Sequence, residues 1–437
     1  MKKNLLFIQL NEINFDVVDK YVLNNKNLFP KFAILKDLYK KFKTKSEVDY
    51  KNLEPWIQWP SIYLGKKYKE HKIFRLGDIV NNPKQVQLFE KIEQKGFKVG
   101  SIAPMNAENR LIKPSYFIPD PWTDTKSDIS IFSKRLTSLL KQSVNQNSSG
   151  KLSFSSILTI IQIIIKTFHL KRTTFLIKLI LTSFKKPWIK ALVLDYLLHM
   201  IHLYLYKKKK PNFSSIFLNA GAHIQHHYFF NIKNYKKLPK NPDWYISSSR
   251  DPFEDMLKVY EKIIGDYIDL SKKETNILIA TALRQVPYNS TKFYYRLKDH
   301  NNFLNKIGIK FSRLLPRMTR DFEIIFNNTQ DLNNALKILK NIKSKKNNIK
   351  VFNEIEKRKK SLFVTLTYPR EIKKKDFLKI NQKLKINFYN EVSFVGVKNG
   401  MHDSKGYVFC SPNSNFKISK ETIHVSKLYD MILSFFK

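Results

Sequence analysis

Short apolar runs alternate along the chain with stretches in which apolar residues recur every three or four positions. That order builds a mostly parallel sheet joined by crossover helices. The runs predict strands at Leu5–Leu10, Val99–Ala103, Ser215–Leu218, Asn276–Ala280, Phe363–Thr367 and Ser393–Val397. The longer periodicity predicts helices over Phe15–Val22, Gln85–Lys95, Phe253–Asp269, Leu332–Ile342 and Thr422–Phe436. The expected class is α/β, with a mostly parallel central sheet flanked by helices.

Between Thr125 and Lys210 long helical patterns replace the alternation, broken by Gln142–Gly150, a polar stretch rich in Ser, Asn and Gln. A core of 1–125 and 211–437 with a helical insertion over 126–210 follows, and the mixed, strongly basic 286–360 is expected to form a cap within that core. Two parts of the insertion bear on membranes. Ile157–Ile165 is apolar but too short to span, and Trp188–Tyr206 carries Lys190, Asp195, His199 and His202 within it. With Lys207–Lys210 behind it, the segment 188–210 suits either an anionic membrane surface or a packed place in the protein or an oligomer.

Composition excludes a disordered chain: 43% of the 437 residues are hydrophobic and 14% aromatic, with 11 glycines. The 79 Lys and Arg against 36 Asp and Glu give a net charge of +43. Most of those cations are Lys, while Arg, the planar fork that reads phosphates and bases, is the rarer. A basic surface with affinity for anions is expected, and no dedicated nucleic-acid partner. Cys410 is the single cysteine, which rules out an intramolecular disulfide and a Cys-based metal cluster. The expected location is cytoplasmic, peripheral at the inner membrane surface if 188–210 lies on lipid. Met1–Leu10 runs into Asn11 and Glu12 too soon for a signal peptide and reads as the first strand.

In open parallel sheets ligands sit beyond the carboxyl ends of the strands, so the loops that follow strands carry the candidate chemistry. These are Leu10–Asn14, Leu53–Gly65 with Glu70–Asp78, Leu218–His227 and Lys398–Tyr407. The cluster His223, His226 and His227 suits a metal, with His223 and His227, four residues apart, sharing one helix face, although such histidines also serve as polar packing. Pro104–Arg110 gathers Asn106, Asn109 and Arg110, where a polar anionic substrate could be gripped. Arg317 and Arg320 have the same capacity, against which stands simple pairing with Asp321 or Glu323.

The segment from Pro55 through Trp59-Pro60-Ser61 to Leu64-Gly65, followed by Glu70-His71 and Ile73, resembles the nucleophile region of the type I phosphodiesterase and nucleotide pyrophosphatase branch of the alkaline phosphatase superfamily. Gln58 stands where that branch places its Thr or Ser nucleophile. Asn11-Glu12 resembles the family's first metal aspartate, Asn219 with His223 its Asp-x-x-x-His pair, and Gly400-Met401-His402 its late Gly-x-His. Ile279–Gln285 falls where the family writes Ser-Asp-His-Gly, so Ala282 and Leu283 replace two ligands. Ile423–Leu433 is similar to the closing strand and helix.

The resemblance implies one divalent ion, Zn or Mn, on Asn219, His223 and His402, to which the helix-face spacing adds His227 as a candidate ligand. The second metal of a two-metal displacement would lack its donors. Glu12 would act as general base, or merely cap the following helix, and Gln58 would orient the reacting group. Asn11, Asn106, Asn109 and Arg110 would bind substrate. The implied function is a metal-assisted hydrolase or transferase for a phosphate or sulfate ester, small or glycan-linked, on a saccharide or lipid carrier. The alternatives are an inactive binding or assembly module on the same fold, and a basic membrane-surface protein.

Overall fold

The computed structural model describes residues 4–145, 153–233, 235, 238–271, 275–317, 320–380, 385–416 and 422–437. Residues 146–150 of the predicted polar break, and Met318 and Thr319 beside Arg317, fall outside these. The chain forms two compact units, one of 1–238, 247–287 and 400–437, the other of 239–246 and 288–399.

The first unit is built on an eight-stranded sheet. Its strands are β1 (Asn4–Leu10), β2 (Lys40–Lys45), β3 (Val99–Ile102), β4 (Tyr116–Ile118), β5 (Phe213–Leu218), β6 (Thr275–Ala280), Lys405–Cys410 and Ile423–His424. In space they run Ile423–His424, β2, Lys405–Cys410, β6, β1, β5, β3, β4. Pairing is parallel throughout except along Lys405–Cys410, which is antiparallel to both β2 and β6. β1, β3 and β5 are apolar runs with hardly an exposed residue, as strands covered on both faces must be.

Register fixes where the loops emerge. Leu10 pairs with Leu218 and Gln9 with Ala280, so β1, β5 and β6 all end on one edge. Val408 lies opposite Ala280, and the strand Lys405–Cys410 therefore starts at that same edge. Residues 11–14, 219–228, 281–285 and 400–404 are thus brought together by backbone pairing alone.

The helices of this unit are α1 (Phe15–Asn24), α2 (Pro30–Leu38), α3 (Pro55–Leu64), α4 (Tyr68–His71), α5 (Leu88–Gln94), α6 (Ile131–Asn145), α7 (Phe154–Lys166), α8 (Leu170–Ser183), α9 (Ile189–Lys209), α10 (Ala220–Tyr228) and α11 (Pro252–Ser271). α9 is long and apolar enough to cross a membrane, yet 72% of its apolar window is buried inside the protein. It rests on β5 and α11. The polar residues that interrupt it explain this: His202 bonds Tyr267 Oη and Ser214 Oγ, both at 2.7 Å, and burial pushes its pKa down to about 3. His199 meets Asp266 at 2.9 Å, and Arg172 of α8 grips the same carboxylate at 2.7 Å through each of two nitrogens. The membrane expectation for 188–210 therefore gives way to its packed alternative over Ile189–Tyr206. Lys190 and the trailing lysines, 207–210, are exposed.

The second unit has its own core, including Phe322, Ile324, Leu332, Leu339, Leu362, Val364 and Leu378. An antiparallel sheet orders Glu354–Lys357, Ser361–Thr365, Asp321–Ile325 and Arg313–Pro316 beside the helix Thr329–Asn341. The segment predicted as the strand Phe363–Thr367 of the parallel sheet belongs here. The unit reaches beyond the expected cap of 286–360 because Leu378, Ile386 and Phe388 complete its core. Arg317 pairs with Glu323 at 2.6 Å, the structural alternative named for it.

Candidate metal centre

Glu12 closes β1 in the left-handed conformation, φ 59°, which costs a residue other than glycine about 1 kcal/mol. Its backbone is held on three sides. Its N–H donates to Thr281 O at 3.2 Å, while its carbonyl accepts from Gln285 N at 3.2 Å and Gln225 Nε2 at 3.0 Å. The side chain, 1% exposed, is aimed at two imidazoles. Glu12 Oε2 lies 3.0 Å from His226 Nε2 and 3.1 Å from His402 Nε2, and the two Nε2 atoms are 3.3 Å apart. Among the described residues this is the metal-capable group of three, its ligand atoms all within 4.8 Å of one another.

The outer contacts bear on the tautomer of each ring. His402 Nδ1 faces Glu54 Oε2 at 3.4 Å and His226 Nδ1 faces Gly400 O at 3.4 Å. A proton on each Nδ1 satisfies those acceptors and leaves both Nε2 lone pairs turned inward, as in metal-bound histidines. Gln285 Nε2 donates to Glu12 Oε2 at 2.6 Å and Asn11 Nδ2 to Oε1 at 3.0 Å. Burial alone would raise the Glu12 pKa. In their charged forms the neighbouring His402 and His226 more than reverse that and hold the carboxyl well below its ordinary range. A carboxylate so strongly held is a weak proton acceptor, and its place between two imidazoles suits a ligand as well as the expected general base.

Two features hold the histidines in place. α10, which carries His226, makes no side-chain cap of its own at Asn219. Instead Asp195 of α9 accepts from Asn219 N at 3.2 Å, Ala220 N at 2.8 Å and Tyr260 Oη at 2.6 Å, and Tyr260 Oη accepts from Gly221 N at 3.1 Å. On the other side a Cβ at Gly400 would stand 2.0 Å from Gln285 Oε1 and 2.6 Å from Gln225 O. Only glycine lets the strand carrying His402 come this near.

The other predicted site residues divide clearly. His402 is in the centre; Asn219 and His223 are not ligands beside it. Asn219 Oδ1 instead accepts from Asn11 Nδ2 at 2.8 Å, and His223 packs on His227 with ring centroids 4.8 Å apart. The turn of α10 presents His226, one turn on from His223, to Glu12. Asn11 is tied within the protein, its Oδ1 accepting from Trp59 Nε1 and its Nδ2 donating to Glu12 and Asn219. Gln58 is fully buried in α3 with its nitrogen on Asn52 O at 2.8 Å and its Oε1 without a hydrogen-bond partner. It neither attacks nor orients a substrate from that position.

Asn106 spends its side chain on Trp56 O, Arg75 O and Gly77 N, and Asn109 on Lys126 O and Leu111 N. Arg110 Nε binds Glu108 Oε2 at 2.5 Å, and its terminal nitrogens bind the carbonyls of Ile79, Asn82, Pro83 and Gln85 at 2.7–3.2 Å. With every donor used, the guanidinium is a clamp on loop 79–85 and has none left for an anion. Arg110→Ala is expected to lower stability by about 2 kcal/mol through the carbonyls it strands, visible as a lower urea midpoint, with metal affinity unchanged.

Glu54 and Gln285 were not singled out by the sequence. They carry no spacing signal, because their roles arise from β1, α3 and the loop after β6 meeting in space. His226 belonged to the histidine cluster that the sequence marked for a metal, although helix periodicity gave the ligand roles to its neighbours His223 and His227.

No family model and no curated protein matches the chain. Among solved structures it is similar to phosphonoacetate hydrolase from Sinorhizobium meliloti 1021 in complex with phosphonoformate, at 9% identity and a TM-score of 0.44, covering 100% of this chain and 96% of that one. Human ectonucleotide pyrophosphatase/phosphodiesterase 5 aligns at 11% identity and a TM-score of 0.45, over 99% and 94% of the two chains. Alkaline phosphatase from the Antarctic bacterium TAB5 aligns at 10% and 0.43, over 100% and 98%. These include the kinds of protein that the sequence motifs resemble, at a similarity that assigns no activity.

Proposed function

We propose that this chain is a single-metal hydrolase or transferase of a phosphate or sulfate ester, with one divalent cation on Glu12, His226 and His402. The observation that carries the reading is the triangle of ligand atoms, with edges of 3.0, 3.1 and 3.3 Å. Donors bound at about 2.0–2.1 Å to a tetrahedral ion stand roughly 3.3–3.4 Å apart, so the residues present fit such an ion with little movement. Two imidazoles and one carboxylate suit Zn, and Mn less well.

A bound cation would polarise the ester oxygen and make a water more acidic at neutral pH. The residues of the chain do the rest. Gln285 and Asn11 hold the Glu12 carboxylate, Glu54 and Gly400 O hold the ring tautomers, and Ala282 and Leu283 fill with carbon the place where the family resemblance would put a second ion's ligands. With Gln58 buried, water rather than a side chain serves as the nucleophile.

A binding module without turnover is the second reading, favoured by Gln58, Ala282 and Leu283 all being buried. Plasma mass spectrometry of tag-free protein, followed by p-nitrophenyl phosphate, bis-p-nitrophenyl phosphate and p-nitrophenyl sulfate, separates the two. About one equivalent of Zn or Mn with metal-dependent release of nitrophenol supports the enzyme. One equivalent without turnover of any ester supports the module, and a protein that takes up no metal overturns the enzyme and leaves the module.

A further inference from the structure

The helices α7 and α8 expose much of their apolar surface. α7 buries Ser156, Thr159 and Ile163, while Phe154, Ile157, Leu158, Ile161 and Ile165 face outward. Phe154 is 76% exposed and Ile165 70%. α8 repeats the pattern, burying Thr173 and Ser183 beside Leu176 and Leu179 while exposing Leu170, Ile177 and Leu181, and Phe184 after it is 80% exposed. A helix of a water-exposed protein keeps its large apolar side chains inward, so a contiguous exposed set of them marks a surface that meets something apolar.

The charge around this face selects the occupant. From Ile129 to Leu194 the chain has no aspartate or glutamate, and Lys171, Lys178, Lys185 and Lys190 are exposed among the apolar side chains. A groove along α8 is lined by Ile177, Lys178, Leu181, Lys185, Lys186 and Arg250. One acid reaches it: Asp255 pairs with Lys186 at 2.9 Å. A second copy of the chain would bring the same cations to face these. An anionic lipid surface offers acyl chains to the Phe, Ile and Leu and phosphates to the lysines.

We propose that α7 and α8 lie on the anionic face of a lipid bilayer, with Phe154, Ile161, Ile165 and Phe184 entering the acyl boundary and Lys178, Lys185 and Arg250 holding headgroup phosphate. The surface is separate from α9, which is packed inside the protein, and it does not depend on the metal centre.

The test is flotation of the full chain with vesicles of phosphatidylcholine alone or mixed with phosphatidylglycerol, in chelator so that no metal-bound phosphate contributes. Binding is expected to the mixed vesicles and to weaken with salt. Each of two variants, Ile157→Ser with Ile161→Ser and Ile165→Ser, and Lys178→Glu with Lys185→Glu, is expected to lose about ten-fold in partitioning. These side chains are exposed, so both variants should keep the wild-type thermal midpoint, and the charge variant stands if the serine variant misfolds. Failure to bind mixed vesicles, binding unaffected by both variants, or a concentration-dependent dimer that the serine variant dissociates would overturn the proposal, the last in favour of a second copy.

Discussion

Alanine at His226 or His402 is expected to reduce metal affinity by on the order of a hundred-fold, because each removes one of three protein donors. His223→Ala, whose ring packs on His227, should leave affinity unchanged. The comparison is sharp because both histidines lie on α10 three residues apart and differ only in which ligand set they serve. Glu54→Gln, acting through His402 Nδ1 at 3.4 Å, should cost about ten-fold. Competition titration with a chromogenic zinc chelator reads all four, and thermal melts with and without Zn supply a second scale, since an ion that binds only the native state raises the midpoint. Equal losses for His223→Ala and His226→Ala would move the site to the other face of α10. If no variant changes affinity, Glu12 serves instead as the partner of charged imidazoles, and replacing either histidine should then destabilise the protein.

The second large effect falls outside the centre. Asp195→Ala is expected to lower stability by about 3 kcal/mol, because it strands the backbone N–H groups of Asn219 and Ala220 and the Tyr260 hydroxyl, three donors in a dry region. Metal affinity should fall with it, since those bonds hold the start of the helix that carries His226. pH supplies a check. Burial pushes the Asp195 pKa up to about 6, against the hydrogen bonds that favour its charge. A carboxyl raised on folding holds in the native state a proton that the unfolded chain releases. Its contribution is therefore lost as pH rises from about 4 to about 6 and is level above that. Urea midpoints of wild type and Asp195→Asn, measured across that window, should diverge with the wild type falling relative to the variant. Parallel curves would show that Asp195 stays ionised throughout.

The parts of the fold made by continuous apolar runs were legible in the chain. Leu5–Leu10, Val99–Ala103, Ser215–Leu218 and Asn276–Ala280 are strands within a residue or two at each end, since strands covered on both faces consist of little else. β2 was not legible: Lys40–Lys45 reads as a charge run, and only packing shows that Phe42 and Thr44 turn inward between lysines. Thr422–Phe436 reads as one helix but begins as a strand, Ile423–His424, because β2 offers it a free edge. Of the site, Glu12 and His402 stood out by their places at strand ends, whereas Asn106, Asn109 and Arg110 looked equally functional. Nothing in a sequence distinguishes a guanidinium that awaits a ligand from one saturated by carbonyls of a loop 25 to 31 residues away.

The position of β1 bears on how the chain is made. Its neighbours on either side are β5 and β6, with Leu5 paired to Phe213 and Asn4 to Thr275. β1 therefore finds no partner until more than two hundred further residues have followed, roughly 10–40 s at ordinary elongation rates. During that interval the nascent chain already displays α7 and α8, whose outward side chains are apolar and basic in the finished protein. Completion of the sheet core is a late event in synthesis, and whatever shelters those helices must be at hand before it.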